Sequence, residues 1–114
     1  MTEQEIVQEI CRAASAKKAR DIVQMDMQGI MSATDYFVIC SANTATQVRA
    51  IADNIEEKLA ESGAHFLHKE GYREGEWILM DYGDVVAHIF RQEAREYYAL
   101  EHLWADAALT PYED

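Results

Sequence analysis

Basic residues are scarce in this chain. Ten Lys and Arg stand against 21 Asp and Glu, a formal net charge of −11. Gripping a phosphate backbone or an anionic membrane surface depends on clustered Lys and Arg, so the balance argues against both kinds of partner. Proline occurs once, at Pro111, and no Ser/Gly-rich stretch exists, so nothing marks a linker or a second domain. The two cysteines, Cys11 and Cys40, make neither a CxxC pair nor a disulfide framework. Their apolar neighbours predict buried, reduced thiols. The five glycines, at positions 29, 63, 71, 75 and 83, compose no phosphate cradle of the GxxxxGK[ST] or GxGxxG kind. No N-terminal stretch reads as a signal peptide. No apolar run approaches the roughly 18 residues of a spanning helix. These absences predict a soluble, cytoplasmic protein.

What is present is a hydrophobic fraction of 49% in 114 residues, too apolar for a disordered acidic tail and about the size of one core. A single domain over 1–114 is expected. The acid is uneven: residues 1–21 are neutral, 22–68 carry −4 and 69–114 carry −7. A surface for a basic partner is therefore expected in the second half.

Thr2 and Glu5 have the spacing of a capping box, and Ile6, Val7, Ile10, Cys11 and Ala14 follow as one apolar stripe of a helix. Residues 22–27 read as a strand with Val23, Met25 and Met27 on one face. Residues 35–41 form a nearly continuous apolar run, the signature of a strand buried on both faces. Thr44 and Gln47 open a second helix with Val48, Ile51, Ala52, Ile55 and Leu59 inward, closed by Gly63. Residues 64–69 read as a third strand, which with the preceding strand and helix predicts a right-handed parallel crossover. Residues 77–81 and 84–90 read as a hairpin about Tyr82-Gly83. From Gln92 the spacing of Tyr97, Leu100, Leu103, Trp104 and Ala107 predicts one helix, with Pro111 in its frayed end. The order α-β-β-α-β-β-β-α implies an α/β or α+β domain with a five-stranded mixed sheet flanked by helices. Three helices cannot cover both faces of such a sheet, so part of it stays open.

The chemistry of catalysis is thin. His65 and His68 point to opposite faces of a strand, and His88 stands alone, so no metal set converges. Cys40 lies in the most apolar strand, the wrong setting for a reactive thiol. Asp81 and Asp84 flank a turn, where they serve as turn residues or, in an alternative reading, as carboxylates for a divalent ion. No cofactor, metal or catalytic residue is expected. Trp77, Tyr82, Tyr97, Tyr98 and Trp104 crowd the acidic half, and aromatic anchors with an acidic rim suit a protein partner.

Three stretches carry a resemblance. Thr34-Asp-Tyr-Phe-Val-Ile is one. Lys69-Glu-Gly71, followed by Trp77-x-Leu79-x-Asp81-x-Gly83-Asp84-Val-Val-x-His88-x-Phe90, is the second. Tyr98-x-Leu100-Glu101-x-Leu103-Trp104-x-Asp106 is the third. Their order and length resemble the Iojap family, the ribosomal silencing factors, over about residues 3 to 107. The resemblance implies a nucleotidyltransferase-like fold without nucleotidyl transfer. It implies binding to the large ribosomal subunit through its protein fourteen, a block on joining of the small subunit, and repression of translation when nutrients are scarce. The family's crystal forms are often dimers, which allows a homodimer here. Two other readings stand beside it: a divalent-ion-dependent nucleotidyltransferase-like enzyme using Asp81 and Asp84, and an adaptor for a basic protein outside the ribosome.

The expected contact residues are Trp77, Leu79, Asp81, Tyr82 and Tyr98, with Lys69 and Glu70 at the rim. Trp77, Leu79 and Asp81 alternate with Ile78 and Met80, which would then be core. The opposite assignment of faces fits the same alternation.

Overall fold

Thr2 starts the first helix, α1 (Glu3–Ala16), in the way its spacing predicts. Its hydroxyl accepts from the Glu5 amide at 3.1 Å, and the Glu5 carboxylate accepts from the Thr2 amide at 2.7 Å. The second helix, α2 (Ala45–Glu61), is capped by Thr44, whose hydroxyl accepts from the Gln47 amide, and ends before Gly63 at φ +88°. The computed structural model describes all of residues 1–114. No helix is long and apolar enough to cross a membrane.

The strands are β1 (Arg20–Asp26), β2 (Tyr36–Ala42), β3 (His68–Glu70), β4 (Trp77–Asp81), β5 (Val85–Arg91) and β6 (Ala108–Pro111). Between β5 and β6 lie two short helices, α3 (Gln92–Tyr98) and α4 (Leu100–Leu103). All six strands join one mixed sheet in the order β3-β4-β5-β2-β1-β6, so the domain is α+β. The expected count was five. The sixth strand is the segment read as a frayed helix end, and its Pro111 sits opposite Val23 of β1 at the sheet edge, where a missing N–H is tolerated.

Two further expectations change. The third strand is shorter and later than 64–69, and it runs antiparallel to β4. The parallel partner of β2 is therefore β5, reached through α2, β3 and β4. The C-terminal helix is not continuous, because Ala99 adopts the left-handed conformation at φ 46° and turns the chain between α3 and α4.

Helices α1 and α2 lie on one face and enclose the larger core. Val7, Ile10, Ile51, Ile55 and Leu59 meet Val38, Cys40, Ile78, Met80, Ala87 and Ile89 there, all buried. Each fully buried aliphatic side chain contributes about 1.5–3 kcal/mol. Asn54 ties the two helices together by donating to the Ala13 carbonyl at 2.8 Å. The other face is covered only in part. Ala94, Leu100 and Ala107, from α3, α4 and the turn before β6, cap Met25, Met27, Phe37, Ile39, Val86 and Phe90. The remainder of this face, over β4 and its neighbours, is open.

Candidate functional site

Residues opposed across paired strands share a sheet face. Glu70 lies opposite Leu79, Leu79 opposite His88, and His88 beside Ile39. Trp77 lies opposite Phe90, and Asp81 opposite Val86. The open face thus carries Glu70, Trp77, Leu79, Asp81, Val86, His88 and Phe90 together. Ile78 and Met80 are wholly buried beneath the helices, as one of the two face assignments required.

Aromatic contacts build the centre of this surface. Trp77 stacks on Phe90 at 4.8 Å between centroids, and Tyr98 of α3 packs on Trp77 at 4.8 Å. Trp104 meets Phe37 edge-on at 5.5 Å. Tyr97, Tyr98 and Leu103 are 82%, 49% and 66% exposed, so the apolar surface reaches solvent. Of the adjacent tyrosines, only Tyr98 turns toward the sheet, as one helix requires.

Five of the seven expected contact residues meet on this face: Glu70, Trp77, Leu79, Asp81 and Tyr98. Two do not. Lys69 lies opposite Met80 and so points to the helix side. It donates to Glu56 of α2 at 2.8 Å, with its ammonium above the Phe66 and Tyr72 rings at 5.1 and 4.7 Å. Tyr82 also turns to the helix side, against the larger core and edge-on to Phe66. Continued one residue past Asp81, the alternation of β4 puts Tyr82 on the side of Ile78 and Met80. Asp81 and Asp84 have different partners. Asp84 meets Glu3 and Asp35, their carboxylate oxygens all within 4.8 Å, whereas Asp81 accepts from the Gly83 amide at 2.7 Å.

The matching family model carries the description "Ribosomal silencing factor during starvation" and covers residues 1–114. The chain belongs to the ribosomal silencing factor family. Among its relatives is the ribosomal silencing factor of Bacillus subtilis, 43% identical over 109 residues, which span 96% of this chain and 92% of that one. A chloroplastic Iojap protein of Zea mays is 32% identical over 104 residues, 91% of this chain and 44% of the plant protein. A crystal structure from Chromobacterium violaceum superposes with a TM-score of 0.90 at 34% identity, covering 92% of this chain and 88% of the other. One from Bacillus halodurans gives 0.83 at 38% identity, covering 98% and 100%.

Two buried polar side chains outside the expected contact set hold the silencing-factor fold beside this face. Arg95 is buried under the α3–α4 corner. Its Nε and Nη2 donate to Glu101 Oε2 at 3.1 and 3.0 Å, and its Nη1 donates to Ser41 Oγ at 3.0 Å and the Arg20 carbonyl at 3.3 Å. This guanidinium fixes the corner that presents Tyr98. Periodicity could not signal it, because an arginine within a polar run reads as surface.

His88 is the second. Its Nδ1 accepts from Trp77 Nε1 at 3.1 Å, so the ring is neutral with its proton on Nε2, which is buried without a partner. Burial pushes its pKa down to about 3. Glu3 moves the other way, raised to about 7 by its hydrogen bond with Asp35, by burial, and by the charges of Asp35 and Asp84.

The two groups bias stability in opposite directions. An unfolded His88 takes a proton below about 6.5 and the folded one does not until about 3, so its contribution is lost as pH falls through that window. The Glu3 contribution is complete below about 4.5 and lost as pH rises through about 7. Melting temperatures across pH 4–8 should therefore slope less steeply on the acid side for His88→Gln, which keeps an acceptor for Trp77. Glu3→Gln should melt higher than the parent at pH 8 and equal to it at pH 4. Parallel curves for all three proteins would refute these assignments.

Proposed function

We propose that this chain binds the large ribosomal subunit through its protein fourteen, on the surface that meets the small subunit, and so blocks subunit joining. Acting in the cytoplasm, it would repress translation when nutrients are limiting. The observation that carries this reading is the open sheet face, where half-buried Trp77 and Leu79 and exposed Tyr98 form an apolar patch edged by Glu70 and Asp81. Apolar anchors within a charged rim are the anatomy of a protein interface. Ribosomal proteins that sit on RNA are generally basic, and a body carrying −11 is steered toward such a protein and repelled by bare phosphate. The mechanism is steric. A 13.0 kDa domain seated on the joining surface needs affinity and no chemistry.

The test is reassociation of isolated subunits with purified protein, followed by sedimentation. The expected result is protein co-sedimenting with the large subunit and a loss of joined particles that saturates with dose. Trp77→Ala and Tyr98→Ala should each weaken large-subunit binding by about 30-fold, near 2 kcal/mol, as central interface aromatics do. Undiminished joining at saturating protein would end the proposal.

A further inference from the structure

One end of the open face holds a pocket that the aromatic patch does not fill. Met31, Ala33 and Thr34 form one wall, Phe37 and Val86 the floor, Leu79 and His88 the far side, and Asp81 the rim. Its volume is about 220 Å³. Pockets for free metabolites run to about 300–1,000 Å³, so this one suits a single side chain. Its wall is fixed in place. The Asp84 carbonyl accepts from Thr34 Oγ1 at 2.8 Å and from the Asp35 and Tyr36 amides at 2.8 and 3.0 Å, which locks the 31–34 loop to the β4–β5 turn.

Five of the nine lining residues are apolar, Thr34 and His88 are polar, and the one carboxylate is Asp81. Asp81 makes no ion pair within the chain, and its Oδ1 is occupied by the Gly83 amide. Its Oδ2 makes no hydrogen bond within the chain. His88, being neutral, puts no positive charge on the pocket wall. An arginine fork engages both oxygens of a carboxylate, whereas an ammonium is a point charge that needs one. A lysine stem also buries its methylenes while its head stays at the rim.

We propose that this pocket takes a lysine side chain of the basic partner, its stem against Phe37, Val86 and Leu79 and its ammonium on Asp81 Oδ2. The inference rests on the docking reading above and assigns the recognition chemistry at one end of that face.

The test is a binding cycle with isolated large subunits. Asp81→Asn removes the charge but keeps an Oδ1 acceptor for the Gly83 amide, so the turn survives. The expected result is about tenfold weaker binding at low ionic strength, with the gap closing toward 1 M salt as charges are screened. A second arm uses large subunits whose lysines have been acetylated, on which Asp81→Asn and the parent should bind alike, because the coupled partner is gone. An Asp81→Asn penalty undiminished on acetylated subunits would overturn the lysine assignment, as would parent-like binding of Asp81→Asn at every salt concentration. Tyr98→Ala run in parallel separates the two levels. If it loses binding while Asp81→Asn does not, the docking reading stands and the lysine pocket falls. If Tyr98→Ala binds like the parent, both fall.

Discussion

Gly71→Ala will cost about 3 kcal/mol or more of stability. Gly71 follows β3 directly, at φ +83°. A Cβ built there would lie 1.9 Å from the Trp77 carbonyl oxygen and 3.0 Å from its carbon. Those are backbone atoms of the first residue of β4, so no rotamer change relieves the overlap. The strand must move, or the chain must leave the left-handed region. Gly29→Ala is the matched control. It sits at φ +79° with nothing within 4 Å of the added Cβ, so only the conformational penalty of about 1–2 kcal/mol applies. Thermal melts should separate the two by about 5 °C or more in a domain of this size. Equal melting would mean that β4 does not pack so closely on Gly71. Because Trp77 is central to the open face, Gly71→Ala should also weaken large-subunit binding beyond what its stability loss explains.

Arg95→Met will have the next largest effect, about 3 kcal/mol. The side chain of Arg95 is 8% exposed and that of Glu101 is 21%, so solvent replaces little of what is lost. Removal leaves the Glu101 carboxylate, Ser41 Oγ and the Arg20 carbonyl short of a donor. Ser41 retains its donation to Gln92 Oε1 at 2.8 Å, which holds the start of α3 but not its end. The α3–α4 corner should loosen, and Tyr98 with it. Arg95→Lys should not rescue, since one ammonium cannot reproduce a planar fork shared among three acceptors. Glu101→Gln, which keeps an oxygen acceptor, should cost less. A parent-like melt for Arg95→Met would show that the corner is held by Leu100 and Trp104 packing alone.

Where neighbours in sequence decide the structure, the sequence was readable. The capping box of α1, the Thr44 cap of α2, the two helical stripes and the in–out alternation of Trp77 to Asp81 are local patterns, and each is present as expected. The uncovered sheet face also followed from counting helices. What was hidden depends on distant partners. Ala108–Pro111 is exposed along its length, four residues long and contains proline, so nothing in it signals a strand until β1 offers an edge. Ala99 carries no glycine or asparagine signal for the left-handed turn it makes. Lys69 was expected at the rim with Glu70, and its register against Met80 turns it to the helix side, a parity that a three-residue strand does not show on its own. Tyr82 was expected in the contact set as an aromatic of the hairpin turn, yet its parity is that of Ile78 and Met80, and it packs on their side. The aromatic centre of the site was legible as residue types. The pocket beside Asp81 was not, because its wall is the 31–34 loop, brought from another part of the chain.

The pairing of β2 with β5 sets a timetable for folding. Tyr36 lies beside Val85, some 50 positions later in the chain, and this ladder is the seam between the two halves of the sheet. Closing so long a loop is entropically slow, which places such topologies at milliseconds or longer. During synthesis, α1, β1, β2 and α2 emerge with one long edge of β2 unpaired, and its near-continuous apolar run is then open to misassociation. The segment from α3 to β6, made after β5, both completes the aromatic surface and covers the opposite edge at β1. A chain cut short before Gln92 would expose sticky strand edges and lack part of the surface proposed for docking, so that surface and protection from aggregation arrive together.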